Sequence, residues 1–402
     1  MNVGRPGTYI EKEGISWHTE TMSFGLMTVV GSVCLAAGTS YALFHVTLTA
    51  GLFRLRRRGQ IPSVKVSVIV AARNEAGSVK GLLDALLHQS RLPEEIVVVD
   101  DRSTDETFSI VTSYRAQFPV IVPIRVAEVP DGVSPKKHAL STGIAASSGD
   151  ILFFTDADCQ PPPGWIAGLL GMFDEHTGVV VGTYLPSLSP PNSTQQRGVL
   201  PAFVSYEKFK STVLCAGSLG LGFPWMASGS SLAYRREVYD AVGGFTAFLE
   251  SQSGDDDLFV QRVRRMTHWS VAFSGSVDTA VLTTAPANVT DFLRQRMRHF
   301  SAGRKYAKDV QIALVLYHAS NLVATAGLFA YFLGLAPVSA LEAYAIKICA
   351  DIILLAFGGH ILERHRAWAL VIPMEFLYVL YTTLVGPLGV ISRVAWKPGS
   401  SA

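Results

Sequence analysis

Asp156 and Asp158 stand one residue apart at the end of a short apolar run, Ile151-Leu-Phe-Phe-Thr155. Side chains at i and i+2 of an extended segment point to the same side, so both carboxylates can face one ligand. Strand carboxyl ends are where ligands bind in α/β sheets. Hard divalent cations favour such carboxylates and share them with substrate phosphates. An acidic turn after a strand is the competing account. Two further clusters extend the pattern: Asp100-Asp101 closes the run Ile96–Val99, and Asp255-Asp256-Asp257 follows Ser251-Gln-Ser-Gly254 and precedes Leu258-Phe-Val260. Carboxylates at a helix N-terminus gain about 0.3–1 kcal/mol from the dipole, which is a purely structural reason for the third cluster.

The elements that must position these groups alternate along residues 65–160. Val66–Ala71 reads as a buried strand closed by Ala72-Arg73-Asn74-Glu75. The leucines of Ser78–Leu87 recur at helical spacing. Ile96–Val99 is a second buried strand, and Ser103 or Thr104 with Glu106 makes a helix start. A strand at 121–126, a helix at 137–147 and a strand at 151–155 follow. Such alternation predicts an α/β fold, a doubly wound and mostly parallel sheet with apolar strands covered on both faces. Pro161-Pro-Pro-Gly164 marks a boundary, and residues 165–300 are less regular.

In this order the segments resemble a known family. Val-Ile-Val-Ala71-Ala-Arg73-Asn74-Glu75, Val-Val-Val-Asp100-Asp101-Arg-Ser-Thr-Asp105, Lys136-Lys-His-Ala-Leu140 and Asp156-Ala-Asp158 are similar to the nucleotide-binding half of a family 2 glycosyltransferase. Gly229-Ser-Ser-Leu-Ala-Tyr-Arg235-Arg236, Val242-Gly-Gly-Phe245, Gly254-Asp255-Asp256-Asp257-Leu258 and Gln295-Arg-Met-Arg298-His299 resemble its later segments, so that the match covers about residues 65–305. The resemblance implies a GT-A, Rossmann-like fold and sugar transfer from a nucleotide-diphosphate donor with inversion. It also implies roles. Asp101, with Asp100 beside it, meets the donor's base; Ala71, Arg73, Glu75, Lys136 and Asp156 belong to the donor site. Asp156 and Asp158 hold a divalent cation, Mg2+ or Mn2+, with Asp158 coordinating directly. Asp255 is the general base, and Gln295 and Arg298 hold the diphosphate or the acceptor end. A divalent cation and a guanidinium both suit a leaving diphosphate that gains negative charge. A single displacement with one base needs no carboxylate nucleophile.

Two positions depart from the pattern. Gly254 occupies the place of the usual Glu, so Asp256 could share or take the base role. His299 replaces the usual Trp, which argues against a processive polysaccharide synthase. Asn74 and Glu75 could equally cap the following helix, and Lys136 could be a solvated helix lysine.

Composition brings in a membrane. Of 402 residues, 49% are hydrophobic and 16% charged, and mean hydropathy is +0.30. Four stretches, about 23–53, 311–336, 338–361 and 368–391, reach the ~20 residues a bilayer span requires. The domain plan is therefore a tail at 1–22, a transmembrane helix at 23–53, a GT-A domain at 60–305, three transmembrane helices within 311–391 and a tail at 392–402. Arg54, Arg56, Arg57 and Arg58 directly follow the first span, which places the domain in the cytoplasm by the positive-inside rule. Arg364, His365 and Arg366 agree with that sidedness, and Arg393 and Lys397 oppose it. The expectation is an integral protein of the inner or plasma membrane.

Net charge is +2, and no basic patch with interleaved aromatics points to nucleic acid. Cys34, Cys159, Cys215 and Cys349 have neither metal-ligand nor disulfide spacing. Val213–Phe223 with Trp225 reads as a membrane-surface segment, with a buried core segment as the alternative. Lys347 and Asp351, four apart in a span, suit an internal ion pair. The leading function is transfer of a sugar to a lipid or other membrane-associated acceptor at the cytoplasmic face. The rival of a different class is an inactive, glycosyltransferase-like membrane scaffold.

Overall fold

The computed structural model describes residues 12–187, 198–363 and 371–391. The tails at either end, the basic cluster Arg364–Arg366 and the pair Arg393 and Lys397 lie wholly or largely outside these residues. Elements in chain order begin α1 (Lys12–Phe53), β1 (Val66–Ala72), α2 (Val79–Leu87), β2 (Glu95–Asp101), α3 (Thr107–Gln117), β3 (Ile121–Val126), α4 (Pro135–Ala146) and β4 (Ile151–Phe154). Next come β5 (Cys159–Gln160), α5 (Trp165–Leu170), β6 (Thr177–Gly182), β7 (Tyr184–Ser187), α6 (Val199–Gly220), β8 (Leu232–Arg235) and α7 (Arg236–Ala241). The chain continues with α8 (Asp257–Met266), β9 (Ser270–Ser274), β10 (Val281–Thr284), α9 (Val289–Ser301), α10 (Lys308–Phe332), α11 (Val338–Ile361) and α12 (Val371–Ile391).

Two compact units result, one formed by the chain up to His45 with Leu314–Ile352, the other by Val46–Ala313 with the residues from Ile353 onward. The second unit carries a seven-stranded sheet in the order β3-β2-β1-β4-β8-β6-β9. Only β8 runs antiparallel to its neighbours; the other pairs are parallel. This is the mostly parallel GT-A-type α/β sheet expected from the alternation. Every residue of β1 is buried, which is why its run is apolar except for Ser67, whose hydroxyl donates to Glu95. Leu82, Leu83 and Leu86 of α2 pack into the same core as Val68, Val70, Val98 and Phe153. A smaller sheet, β5-β10-β7, adjoins the site strands.

Two local expectations change. Helix α3 starts at Thr107, and Asp105 Oδ1 accepts from the Thr107 N–H at 3.0 Å. Ser103 and Thr104 are taken up instead in stitching the β1 and β2 loops: Ser103 Oγ accepts from Asn74 N–H, and Asn74 Oδ1 accepts from Thr104 N–H, both at 2.9 Å. The stretch Val213–Leu219 is core, not membrane surface, because it completes the buried helix α6. A Cβ on Gly51 of α1 would collide with the Gly217 carbonyl, and one on Gly220 with the Gly51 carbonyl. The two helices can cross that closely only with glycine at the contact.

Among the described residues, three helical stretches are long and apolar enough to cross a membrane: Gly25–Phe53, Lys308–Phe332 and Val371–Ile391. Helix α11, the remaining expected span, is continuous over 24 residues but carries Glu342, Lys347 and Asp351 and is not among the three. Within the first unit Lys347 Nζ lies 2.9 Å from Asp351, both fully buried. Tyr41 Oη donates to Asp351 Oδ1 at 2.9 Å, and His45 Nε2 lies 3.1 Å from it. The charge pair is thus enclosed by polar partners, as burial of ions requires.

Candidate active site

Strands β1 and β4 are parallel neighbours, yet the chain goes from β1 to β2 and β3 on one side before returning to β4 on the other. Ligands bind at such a reversal, outside the strand carboxyl ends. The pairing Ile69–Phe154 brings Ala71 and Asp156, each two residues further on, to this edge. A pocket opens there, walled by Ala71, Lys136, Asp156, Gly229, Tyr234 and Asp255. Four of the residues singled out in the sequence, from segments far apart in the chain, therefore meet.

Lys136, at the first turn of α4, organises the pocket. Its Nζ lies 3.0 Å from Asp156 Oδ1 and 3.0 Å from Asp255 Oδ2, with 14% of the side chain exposed. It is not a solvated helix lysine. Burial opposes its charge, but Asp156, Asp255 and Asp256 outweigh burial and raise its pKa. Ser230 Oγ donates to Asp156 Oδ2 at 2.7 Å. Burial would raise Asp156, yet Lys136 and these hydrogen bonds keep it below the usual carboxylate range.

The three consecutive aspartates have different partners. Asp256 Oδ1 caps α8 by accepting from the Asp257 N–H at 2.8 Å, and its Oδ2 accepts from the Gly229 N–H at 2.8 Å. Asp257 accepts from the Ala227 N–H at 2.8 Å and from Tyr306 Oη at 2.5 Å. Asp255 faces the pocket and Lys136. Burial alone would raise it, but Lys136 and Lys137 bring it down to about 2. Asp256 moves the other way, through burial and then its neighbour Asp255. Asp257 rises through burial and Asp256. At neutral pH Asp255 is ionised, and it faces the pocket. Gly254 explains the departure beside it: its φ of +85° disfavours a side chain, and a Cβ would lie 2.8 Å from Leu258.

The β1–β2 edge carries the other donor-side residues. Asp101 is fully buried, accepting from Arg102 Nε at 2.8 Å and Arg73 Nη1 at 3.4 Å. Asp100, also buried, faces Arg125 at 3.6 Å. Asn74 and Arg102 both adopt a φ of +53°, a strained conformation for non-glycine residues that concentrates at functional sites. Glu75 accepts from Ser78 Oγ at 2.5 Å at the start of α2. Gln295 lies elsewhere, along a second cavity with Lys208 and Arg296. Arg298 reaches His299 at 3.5 Å on the same helix. Burial, then Arg298, depresses His299, so it is neutral at pH 7.

Asp156, Asp158 and Cys159 present ligand atoms within 4.8 Å of one another. The two carboxylates suit a hard divalent cation that completes its shell with water and phosphate oxygens. Cys159 does not fit that role. It is buried, and burial and then Asp156 and Asp158 raise its thiol pKa, leaving a neutral S–H.

Sequence reading missed Lys137. It is fully buried and donates to the carbonyl oxygens of Ser251 and Ser253, the latter at 3.0 Å, in the loop that leads to Asp255. Burial lowers its pKa to about 8. Its helical spacing from Leu140 and Ile144 on the buried face of α4 was the available signal. Lys208 was missed too, although Val204, Lys208 and Thr212 share one buried face of α6.

The class of protein defined so far is a GT-A-like α/β domain with a carboxylate-lined crevice at the switch point of its sheet. Residues 67–243 match the profile of glycosyl transferase family 2. The chain is 28% identical over 225 residues to the probable glycosyltransferase YdaM of Bacillus subtilis (strain 168), covering 50% of each protein. It is 27% identical over 233 residues to the beta-monoglucosyldiacylglycerol synthase of Synechocystis sp., covering 56% of this chain and 46% of that one. The chain thus spans about half the length of these curated relatives. A mannosyltransferase from Pyrobaculum calidifontis, solved with GDP-Man and Mn2+, superposes with a TM-score of 0.55 at 21% identity, over 90% of this chain and 96% of that one. This likeness establishes the shared fold.

Proposed function

We propose that the chain is an inverting, divalent-cation-dependent glycosyltransferase that moves a sugar from a nucleotide-diphosphate donor to a lipid or other membrane-associated acceptor. The observation that carries this reading is the Asp156–Lys136–Asp255 bridge at the switch point of a family 2 domain. The donor lies along the β1–β2 edge, where Ala71, Arg73, Glu75, Asp100 and Asp101 cluster, with Asp101 oriented by Arg73 and Arg102. Asp156 and Asp158 would hold Mg2+ or Mn2+, which supplies Lewis-acid stabilisation of the leaving diphosphate.

Asp255 takes the proton from the acceptor hydroxyl as that oxygen attacks the anomeric carbon. Its neighbours Asp256 and Asp257 are occupied by backbone N–H groups and Tyr306, so the base role falls on Asp255. A pKa of about 2 keeps Asp255 ionised at physiological pH and makes it a weak base, one that takes the proton late, as the carbon–oxygen bond forms. Gln295 and Arg298 on α9 serve the acceptor end. The arginines after α1 support a cytoplasmic domain on an inner or plasma membrane. A lipid acceptor is favoured by the apolar helices and by a relative named for a glucosyldiacylglycerol.

The test uses membranes carrying the full chain, labelled nucleotide-sugars and a divalent cation. Label should enter the organic phase, and Asp255→Asn should lower transfer by about 100- to 10,000-fold, the usual weight of a general base. Label in high-mass polymer would replace the lipid reading with polysaccharide synthesis. Neither transfer nor donor hydrolysis with any sugar would sink the enzymatic reading in favour of the scaffold.

A further inference from the structure

The cavity along α6, α9 and β10 is separate from the pocket of Asp156 and Asp255, and its chemistry is cationic. Lys208 reaches it from α6, Gln295 and Arg296 from α9, and Thr283 and Thr284 from β10. Lys208 is 6% exposed and lies over the ring face of Tyr184; among the described residues its ammonium has no hydrogen-bond acceptor. A buried ammonium is ordinarily paired or hydrogen-bonded, since stripping its water without replacement is costly. Arg296, 9% exposed, gives one Nη2 to Glu207 at 2.6 Å and leaves its Nε without an acceptor. Glu207 therefore pairs with Arg296, and no carboxylate lies within ion-pair distance of Lys208 among the described residues. Lys208 without an acceptor and Arg296 with an unused Nε, beside two hydroxyls and a carboxamide on the same wall, form a complementary surface for an oxyanion.

The helices that line the cavity also touch an apolar helix. Lys210, two residues from Lys208, pairs with Glu375 of α12 at 2.7 Å. Phe203 of α6 and Phe292 and Phe300 of α9 stack around Tyr381 of α12. Since α12 is long and apolar enough to span a bilayer, the helices that line the cavity pack against a candidate membrane span.

We infer that this cavity is a phosphate site, which holds a phosphate monoester carried on a membrane lipid by Lys208, Arg296 and Gln295. The assignment rests on the reading that the acceptor is a lipid, and it narrows that class to phosphate-bearing ones. Burial and Arg296 push the Lys208 pKa down, and an anion in the cavity would oppose that push. The diphosphate of the soluble donor is the other source of the same chemistry.

The experiment titrates the purified full-length chain in detergent with dodecyl phosphate, inorganic phosphate and UDP, read by calorimetry without turnover. Dodecyl phosphate should bind the wild type. Lys208→Met, which removes the charge, and Gln295→Glu, which adds an opposing one, should each weaken it about tenfold or more. Lys208→Arg should retain binding, and UDP affinity should not change. Gln295→Glu carries the test if Lys208→Met fails to fold, which its thermal midpoint reports. Dodecyl phosphate binding equally well to all folded variants would overturn the site. Weakening confined to UDP, or to inorganic phosphate, would overturn its lipid occupant. Binding without sugar transfer would keep the site and refute the enzymatic reading instead.

Discussion

Replacing Lys136 by Met should be the most damaging single change in the candidate site, and its size follows from the geometry. The ammonium sits 3.0 Å from each of two carboxylates. At an effective dielectric of about 20, each contact is worth roughly 5.5 kcal/mol of gross Coulomb attraction. Most of that is offset by desolvation, yet removing one partner of a buried ion pair costs about 3–5 kcal/mol because the remaining charges are stranded. Here Asp156 and Asp255 would be stranded together beside Asp256. The thermal midpoint of the full-length protein at pH 7 should fall by on the order of 10 °C. Adding Asp255→Asn to the variant should recover part of the loss, since it removes one stranded charge. The pH dependence gives a second readout. Asp255 is lowered from 3.8 to about 2, so its contribution is complete above pH 4 and is lost as pH falls toward 2. That acid-side loss, roughly 2 kcal/mol, should be absent from the variant. A Lys136→Met protein as stable as wild type at pH 7, or with the same acid limb, would refute the bridge.

Other perturbations test the neighbours. Tyr306→Phe removes a hydrogen bond to the half-buried Asp257 and should cost about 1–3 kcal/mol in denaturant unfolding; no change would mean that the contact is dispensable. Gly254→Glu restores the family's usual residue but places it at a φ of +85° against Leu258, so it should lower stability by about 1 kcal/mol or more without raising transfer. Gly51→Ala should destabilise the α1–α6 crossing by about 1–3 kcal/mol in thermal unfolding, and a neutral outcome would contradict so close an approach.

The sequence alone determined the strands β1, β2 and β4 and the three acidic clusters. Their information is local: a continuous apolar run bounded by polar residues reads as a buried strand, and a carboxylate at its end can be placed without knowing its partners. The lesser elements were harder. The start of α3 was misjudged because Ser103 and Thr104 look like helix caps, whereas their hydrogen bonds go to Asn74, about thirty residues back. The α6 segment has the composition of an interfacial helix, and its burial and its crossing with Gly51 show that it is core.

The tertiary structure decided which of three adjacent aspartates faces the pocket. In the sequence Asp255, Asp256 and Asp257 are equivalent donors of negative charge. In the fold, Gly229 and Ala227 bring backbone N–H groups across 27 and 30 residues, and Tyr306 brings a hydroxyl across 49. Those partners take up Asp256 and Asp257 and leave Asp255 to Lys136. Lys136 is likewise ambiguous in the chain, and becomes the organiser of the site only where β4 returns beside β1. A residue's type is a property of the sequence, but its charge state and availability depend on groups that only folding brings within reach.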